Sequence, residues 1–172
     1  MRIKKLEKVS STNTLAKKEK GEPWLVLWAE EQTAGYGRKK EYWFSPSGGL
    51  YFSVILPKTS IEDLQTLTIL AAFIVAKTIK KSFNLECFIK LPNDVYINGK
   101  KVAGILTENV LSNDVKFSVM GIGLNTNIDK FPDDLENIAT SLKIELRKGV
   151  DNETILKQII GELKEQLKTI SQ

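Results

Sequence analysis

The chain of 172 residues contains no histidine and a single cysteine, Cys87. Without histidine, neither Ser-His-Asp nor Cys-His nucleophilic catalysis can be assembled, and no imidazole can ligate a metal. One cysteine permits neither an intrachain disulfide nor a cysteine metal cluster. No apolar run reaches the ~20 residues needed to cross a bilayer, and the opening MRIKKLEKVS lacks the apolar stretch of a secretory signal. The expected compartment is therefore the cytoplasm, with no membrane partner. Repeats, linkers and low-complexity tracts are also missing, so residues 1–172 are expected to form a single domain, long enough to bury a core. An enzyme under these restrictions works by positioning its reactants and by stabilising charge with lysine, arginine and backbone amides.

What is present is an ordinary globular composition, 42% hydrophobic and 27% charged, with a formal charge of +4. The positive balance suits an anionic ligand, but the lysines are spread along the chain as on a solvated surface. Period-two alternation predicts a strand over Ile3–Val9, followed by helix-start residues at Ser10 to Asn13 and a short helix ending near Gly21. Further strands are predicted over Trp24–Gln32 and Gly49–Leu56. A long, nearly all-apolar helix is predicted over Ile61–Phe83 and is expected to be buried. CFIK reads as a strand, Pro92-Asn93-Asp94 as a turn, Asn98-Gly99 as a hairpin and Ser112-Asn113-Asp114 as another turn. A strand through KFSVMGIGLNTNI and an amphipathic helix over Glu153–Ile170 complete the reading. Strands joined by hairpins and by a long helix imply an α/β (α+β) fold: a mixed β-sheet flanked by helices.

Four segments carry candidate chemistry, each with a plainer alternative. In EEQTAGYGRKKEYWFSP (Glu30 to Pro46), Gly35 and Gly37 allow close backbone approach, and Arg38, Lys39 and Lys40 supply charge suited to phosphate. The alternative is a flexible hairpin loop with solvated charges. It is neither a Walker A loop, since no Gly-Lys-Ser/Thr follows, nor a dinucleotide fingerprint, since the third glycine is missing. Lys90, at the end of a strand before Pro92, is either a cation aimed into a pocket or a snorkelling edge lysine. Ser11-Thr12-Asn13 is either a helix cap or a set of donors to a polar small molecule. Gly121 to Asn127 is either a close-packed strand or a glycine floor beneath a ligand, with Asn125 reaching a phosphate or a metal-bound water.

Taken in order, SSTN, EEQTAGYGRKKEYWFSPSGGLYFSVIL, KLPNDVYINGKKVAGILTE and GIGLNTN resemble the catalytic domain of biotin protein ligases, over roughly Ile3 to Asn127. The resemblance implies a class II aminoacyl-tRNA synthetase-like, biotin–lipoate ligase fold. It implies an enzyme that activates biotin with ATP as biotinyl-5′-AMP and transfers it to a lysine of a biotin carboxyl carrier protein. It also implies site residues. Biotin would meet Ser11, Thr12, Asn13, Gln32, Tyr36, Gly37, Arg38, Lys90, Gly104 and Gly123, with Trp24 and Trp28 near its apolar end. ATP would meet Arg38, Lys39, Lys40, Trp43, Lys90, Asn93, Lys101 and Asn125, with Trp43 bordering adenine and Lys101 and Asn125 reaching phosphates. Lys90 is the expected main catalytic cation, with Arg38 beside it. Mg²⁺ would arrive on the ATP phosphates, near Asn125, with no direct side-chain ligand.

The family loop reads Gly-Arg-Gly-Arg-x-Gly-Arg-x-Trp. Here Tyr36 replaces the first arginine, Lys40 the third glycine and Glu41 the last arginine, and Leu91 stands for a tryptophan beside Lys90. Weaker retention of the adenylate is expected. Neither an N-terminal DNA-binding domain nor a C-terminal β-barrel domain is expected, and DNA is not an expected partner; a homodimer through the sheet follows family habit. Two other classes remain: a biotin or biotinyl-AMP binder with little ligase activity, and a basic nucleic-acid-binding module.

Overall fold

The computed structural model describes residues 1–57, 64–112 and 115–170. Its frame is a seven-stranded mixed sheet in the order β1-β2-β3-β7-β6-β5-β4. The strands are β1 (Arg2–Val9), β2 (Leu25–Gln32), β3 (Leu50–Ile55), β4 (Phe88–Lys90), β5 (Asp94–Ile97), β6 (Lys100–Ser112) and β7 (Val115–Leu124). Only β1 and β2 run parallel; every other neighbour is antiparallel. The helices are α1 (Thr12–Ala16), α2 (Leu64–Phe83), α3 (Leu142–Leu146) and α4 (Asn152–Ile170). The expected start of α2 and the turn at Asn113-Asp114 fall outside the described residues.

Strand alternation sorts the two faces. Val26, Phe52, Val54, Ile105, Met120 and Ile122 point to one side, where α2 and α4 cover them with Leu67, Ala71, Val75, Ile159 and Leu163. This explains why α2 is apolar around most of its circumference: it packs against both the sheet and α4. Leu25, Leu27, Ile55 and Val119 point to the other side, beneath Ala16 of α1. β2 is covered on both faces, which is why LVLWA reads as a continuous apolar run. Past the small core under α1, the second face carries Gly104, Leu106, Gly121 and Gly123, and this part stays open.

Some boundaries differ from the expectation. β2 begins at Leu25 because Trp24 has a φ of +65°, which cannot continue a strand. α1 ends at Ala16, and two short backbone bonds, Lys18 N to Leu15 O and Glu19 N to Ala16 O, tighten the chain away from it. α3, capped by Ser141, carries no periodic apolar signal long enough to announce itself. No helix of the described residues is long and apolar enough to cross a membrane.

Candidate active site

The open part of the second face is a cavity of about 270 Å³. Its floor is glycine. A Cβ built at Gly121 would stand 2.2 Å from Asn13 Oδ1, and one at Gly123 would stand 2.5 Å from Trp43 Nε1. One built at Gly104 would stand 3.1 Å from the same indole. The register puts Leu106 opposite Gly121 and Gly104 opposite Gly123, so two adjacent strands supply one bare strip. The absence of side chains there is what creates the volume.

One wall is polar and buried. Ser11 caps α1, its Oγ accepting from Thr14 N. Thr12 donates to Gln32 Oε1 through its backbone N at 2.8 Å and through its hydroxyl at 3.2 Å. Gln32 Nε2 donates to Ser45 Oγ at 3.0 Å. Ser53 Oγ lies 2.7 Å from Thr12 Oγ1 and 2.6 Å from Asn13 Oδ1. The Ser-Thr-Asn stretch is thus both the cap and the cavity wall, and its two readings coincide.

The roof is the loop between β2 and β3. It closes on itself as a small hairpin, with Gly37 N donating to Glu41 O at 2.8 Å and Trp43 N to Gly35 O at 2.9 Å. Between them Arg38–Lys40 makes one 3₁₀ turn in which Lys39 and Lys40 have φ of +54° and +62°. Lys40 therefore sits in glycine-favoured geometry where the family pattern has glycine. Arg38, Lys39 and Glu41 line the cavity. Arg38 Nη1 lies 3.4 Å from Asn93 Oδ1.

Lys101 is the lysine positioned over the floor. Its Nζ is 2.7 Å from Asp94 Oδ1 and 5.1 Å from the centre of the Trp43 ring, with the side chain 28% exposed. Lys90 is not at the cavity. Its register, opposite Asp94, puts it on the cavity face, but β4 is the edge strand and Lys90 is exposed outside the lining. Lys40 also points away, toward the Tyr36 ring. Trp24 and Trp28 belong to the other face: Trp28 sits in the α2/α4 core and Trp24 packs against it. The apolar lining comes instead from the side chains of Leu106 and Trp43.

A second pocket of about 160 Å³ adjoins the first through Tyr42, Trp43 and Lys101, and is completed by Phe44, Asn125, Leu135, Ile138 and Ala139. The segment before α3 is tied to β6 by Lys101 N to Ile138 O and Thr140 N to Lys101 O. Asn125 is 3% exposed; its Nδ2 donates to Thr140 O at 3.0 Å. Asn125 Oδ1 and Trp43 Nε1 are buried with no hydrogen-bond partner among the described residues. Unpartnered buried polar atoms are costly, and they mark a place where a ligand can supply the missing bond.

The chain matches the family described as the biotin/lipoate A/B protein ligase family over residues 6–125. It belongs to that family. Among the family's curated members it is 40% identical to the bifunctional ligase/repressor BirA of Bacillus spizizenii, over 88% of this chain and 49% of that protein. It is 35% identical to the biotin–[acetyl-CoA-carboxylase] ligase of Paracoccus denitrificans, over 70% of this chain and 52% of that protein. The chain spans about half the length of the curated relatives it matches. A biotin protein ligase from Aquifex aeolicus, solved with biotin and ATP, superposes with a TM-score of 0.91 at 32% identity, covering 99% of this chain and 72% of that one. The biotin protein ligase catalytic fold expected from the sequence is the fold observed.

Sequence reasoning found Ser11 to Asn13, Gln32, the loop and the glycines. It missed Asp94, Leu106, Ser53 and Glu108. Alternation along β6 was the available signal: Gly104, Leu106 and Glu108 fall on one face at period two.

Proposed function

We propose that this domain activates biotin with ATP, forming biotinyl-5′-AMP, and passes the biotinyl group to a lysine of a biotin carboxyl carrier protein. One observation supports this most: a glycine-floored cavity with a polar wall and cationic groups opens into a smaller aromatic pocket containing unpartnered polar atoms. The polar wall suits the ureido ring. Leu106 and Trp43 suit the apolar ring and chain. The second pocket suits a purine, whose edge can bond to Asn125 Oδ1 while its face meets aromatic and aliphatic groups. Asn125 is thereby assigned to the base rather than to a phosphate.

Lys101 takes the role expected of Lys90. In the first step a carboxylate oxygen of biotin attacks the α-phosphorus, and the bond to pyrophosphate breaks. Both reactants are anions, so Lys101 and Arg38 offset their repulsion and the charge gathering on the α-phosphoryl oxygens. Asp94 holds Lys101 over the floor until an anion competes for it. In the second step a neutral lysine amine attacks the acyl carbon, AMP leaves and the amine proton passes to solvent. Neither step requires a protein nucleophile, consistent with a chain that lacks histidine. The apolar walls and the lysine beside Asn125 do not fit Mg²⁺, so no step is routed through an ion there; the ion belongs with the triphosphate.

Glu41 favours a second reading. A carboxylate on the cavity lining opposes polyphosphate, as expected of a binder with weak ligase activity. Biotin-dependent exchange of pyrophosphate into ATP separates the two. Exchange establishes activation; biotin binding without exchange leaves the binder.

A further inference from the structure

Two residues beyond Leu106, on the same face of β6, Glu108 gathers donors from two separate segments, α1 with its C-cap and the β2–β3 loop. Lys17 Nζ lies 2.8 Å from Oε1. Asn13 Nδ2 is 2.9 Å and Tyr36 Oη 3.0 Å from Oε2. Lys40 Nζ stands 4.0 Å from Oε1 and 3.8 Å from the centre of the Tyr36 ring, and Lys17 approaches the same ring at 5.6 Å. Tyr36 is therefore bracketed by two ammonium groups while its hydroxyl rests on the carboxylate. The Glu108 side chain is only 22% exposed, so these charge-assisted bonds are partly shielded from water.

The geometry dictates the orientation of Asn13. An ionised carboxylate only accepts, so the amide nitrogen of Asn13 must face Glu108. Its oxygen is then turned to Ser53 and the cavity floor at Gly121. We propose that Glu108 is a positioning residue: it fixes the Asn13 amide and, through Tyr36, docks the Gly35–Trp43 loop, so that wall and roof are set before a ligand arrives. Glu108 does not line the cavity and touches no ligand itself. The proposal concerns the same site as the biotin reading and rests on it only for its binding arm.

The test uses the full chain with Tyr36→Phe and Glu108→Gln. Hydrogen exchange in the ligand-free protein reads the loop directly, at the amides of Gly37 and Trp43. Each variant is expected to speed exchange there about fivefold, the loss of one hydrogen bond, with β7 amides unchanged. The biotin dissociation constant, measured by titration calorimetry, should rise about tenfold in Glu108→Gln, whose amide competes with the Asn13 donor, and about threefold in Tyr36→Phe. In pyrophosphate exchange the change should fall on KM and leave kcat within about twofold. Loop amides that exchange as in the parent protein overturn the proposal, even if Glu108→Gln unfolds, because Tyr36→Phe removes only a hydroxyl. A parent protein that binds no biotin overturns the proposed function, and loop exchange then decides the positioning role alone.

Discussion

At the scale of single residues, two lysines compete for one role. Lys90 ends an exposed edge strand, whereas Lys101 is held over the glycine floor by Asp94. If positive charge at the α-phosphate drives activation, Lys101→Ala should lower pyrophosphate exchange about 100-fold, the usual cost of a missing charge-stabilising donor. Lys90→Ala should cost less than about tenfold, as for an exposed charge. The reverse order would return the role to Lys90. Glu41 permits an opposite test. Its carboxylate lines the cavity where the family pattern has arginine, so Glu41→Arg should reduce the KM for ATP about fivefold, the effect of roughly 1 kcal/mol at an exposed ion pair. An unchanged KM would place Glu41 outside the polyphosphate path.

At the scale of elements, the loop and the glycine floor divide what a sequence can reveal. The strand identities, α2 and α4 were legible because burial imposes periods of two and 3.6 on apolar residues. The floor was legible as glycines in strand context. The lysine assignment was not, because two lysines eleven positions apart in one hairpin region look alike until register assigns their places. The loop's internal hydrogen bonds were hidden for a similar reason: Lys39 and Lys40 at positive φ contradict local preference. Lys40 combines two opposing effects, an unfavourable backbone and a cation–π contact with Tyr36. Lys40→Ala loses the contact and keeps the strain, and Lys40→Gly loses the contact and relieves it. The glycine variant should therefore hold the loop more firmly than the alanine variant by about 1 kcal/mol. Slower exchange of the Gly37 amide in the glycine variant would show it; equal rates would mean the positive φ is not maintained in solution.

At the scale of the whole molecule, the sheet order could not be read from the chain, because β7 inserts between β3 and β6 through contacts far apart in sequence. That insertion brings Glu108 of β6 within reach of Asn13 and Lys17 and creates the junction of helix, loop and sheet. Its charges give a pH signature. Burial by itself raises the Glu108 carboxyl, but donors from Lys17, Asn13 and Tyr36 outweigh it and hold the group below its ordinary value. Burial likewise lowers Lys17, and its bonds to Glu108 and Tyr36 outweigh that, leaving it above the ordinary lysine value. A lowered carboxyl contributes stability that is complete above its unfolded value and fades as pH falls through the folded one. A raised lysine contributes stability that is complete below its unfolded value and fades as pH climbs through the folded one. Between about pH 5 and about pH 10 the junction should therefore contribute a constant amount. The difference in unfolding temperature between the parent protein and Glu108→Gln should be flat across that window and shrink toward zero once the pH has fallen below the lowered folded value, where the carboxylate is protonated in both folded and unfolded chains. A difference that persists undiminished at that acidity would mean that Glu108 stabilises by packing and that the junction does not depend on its charge.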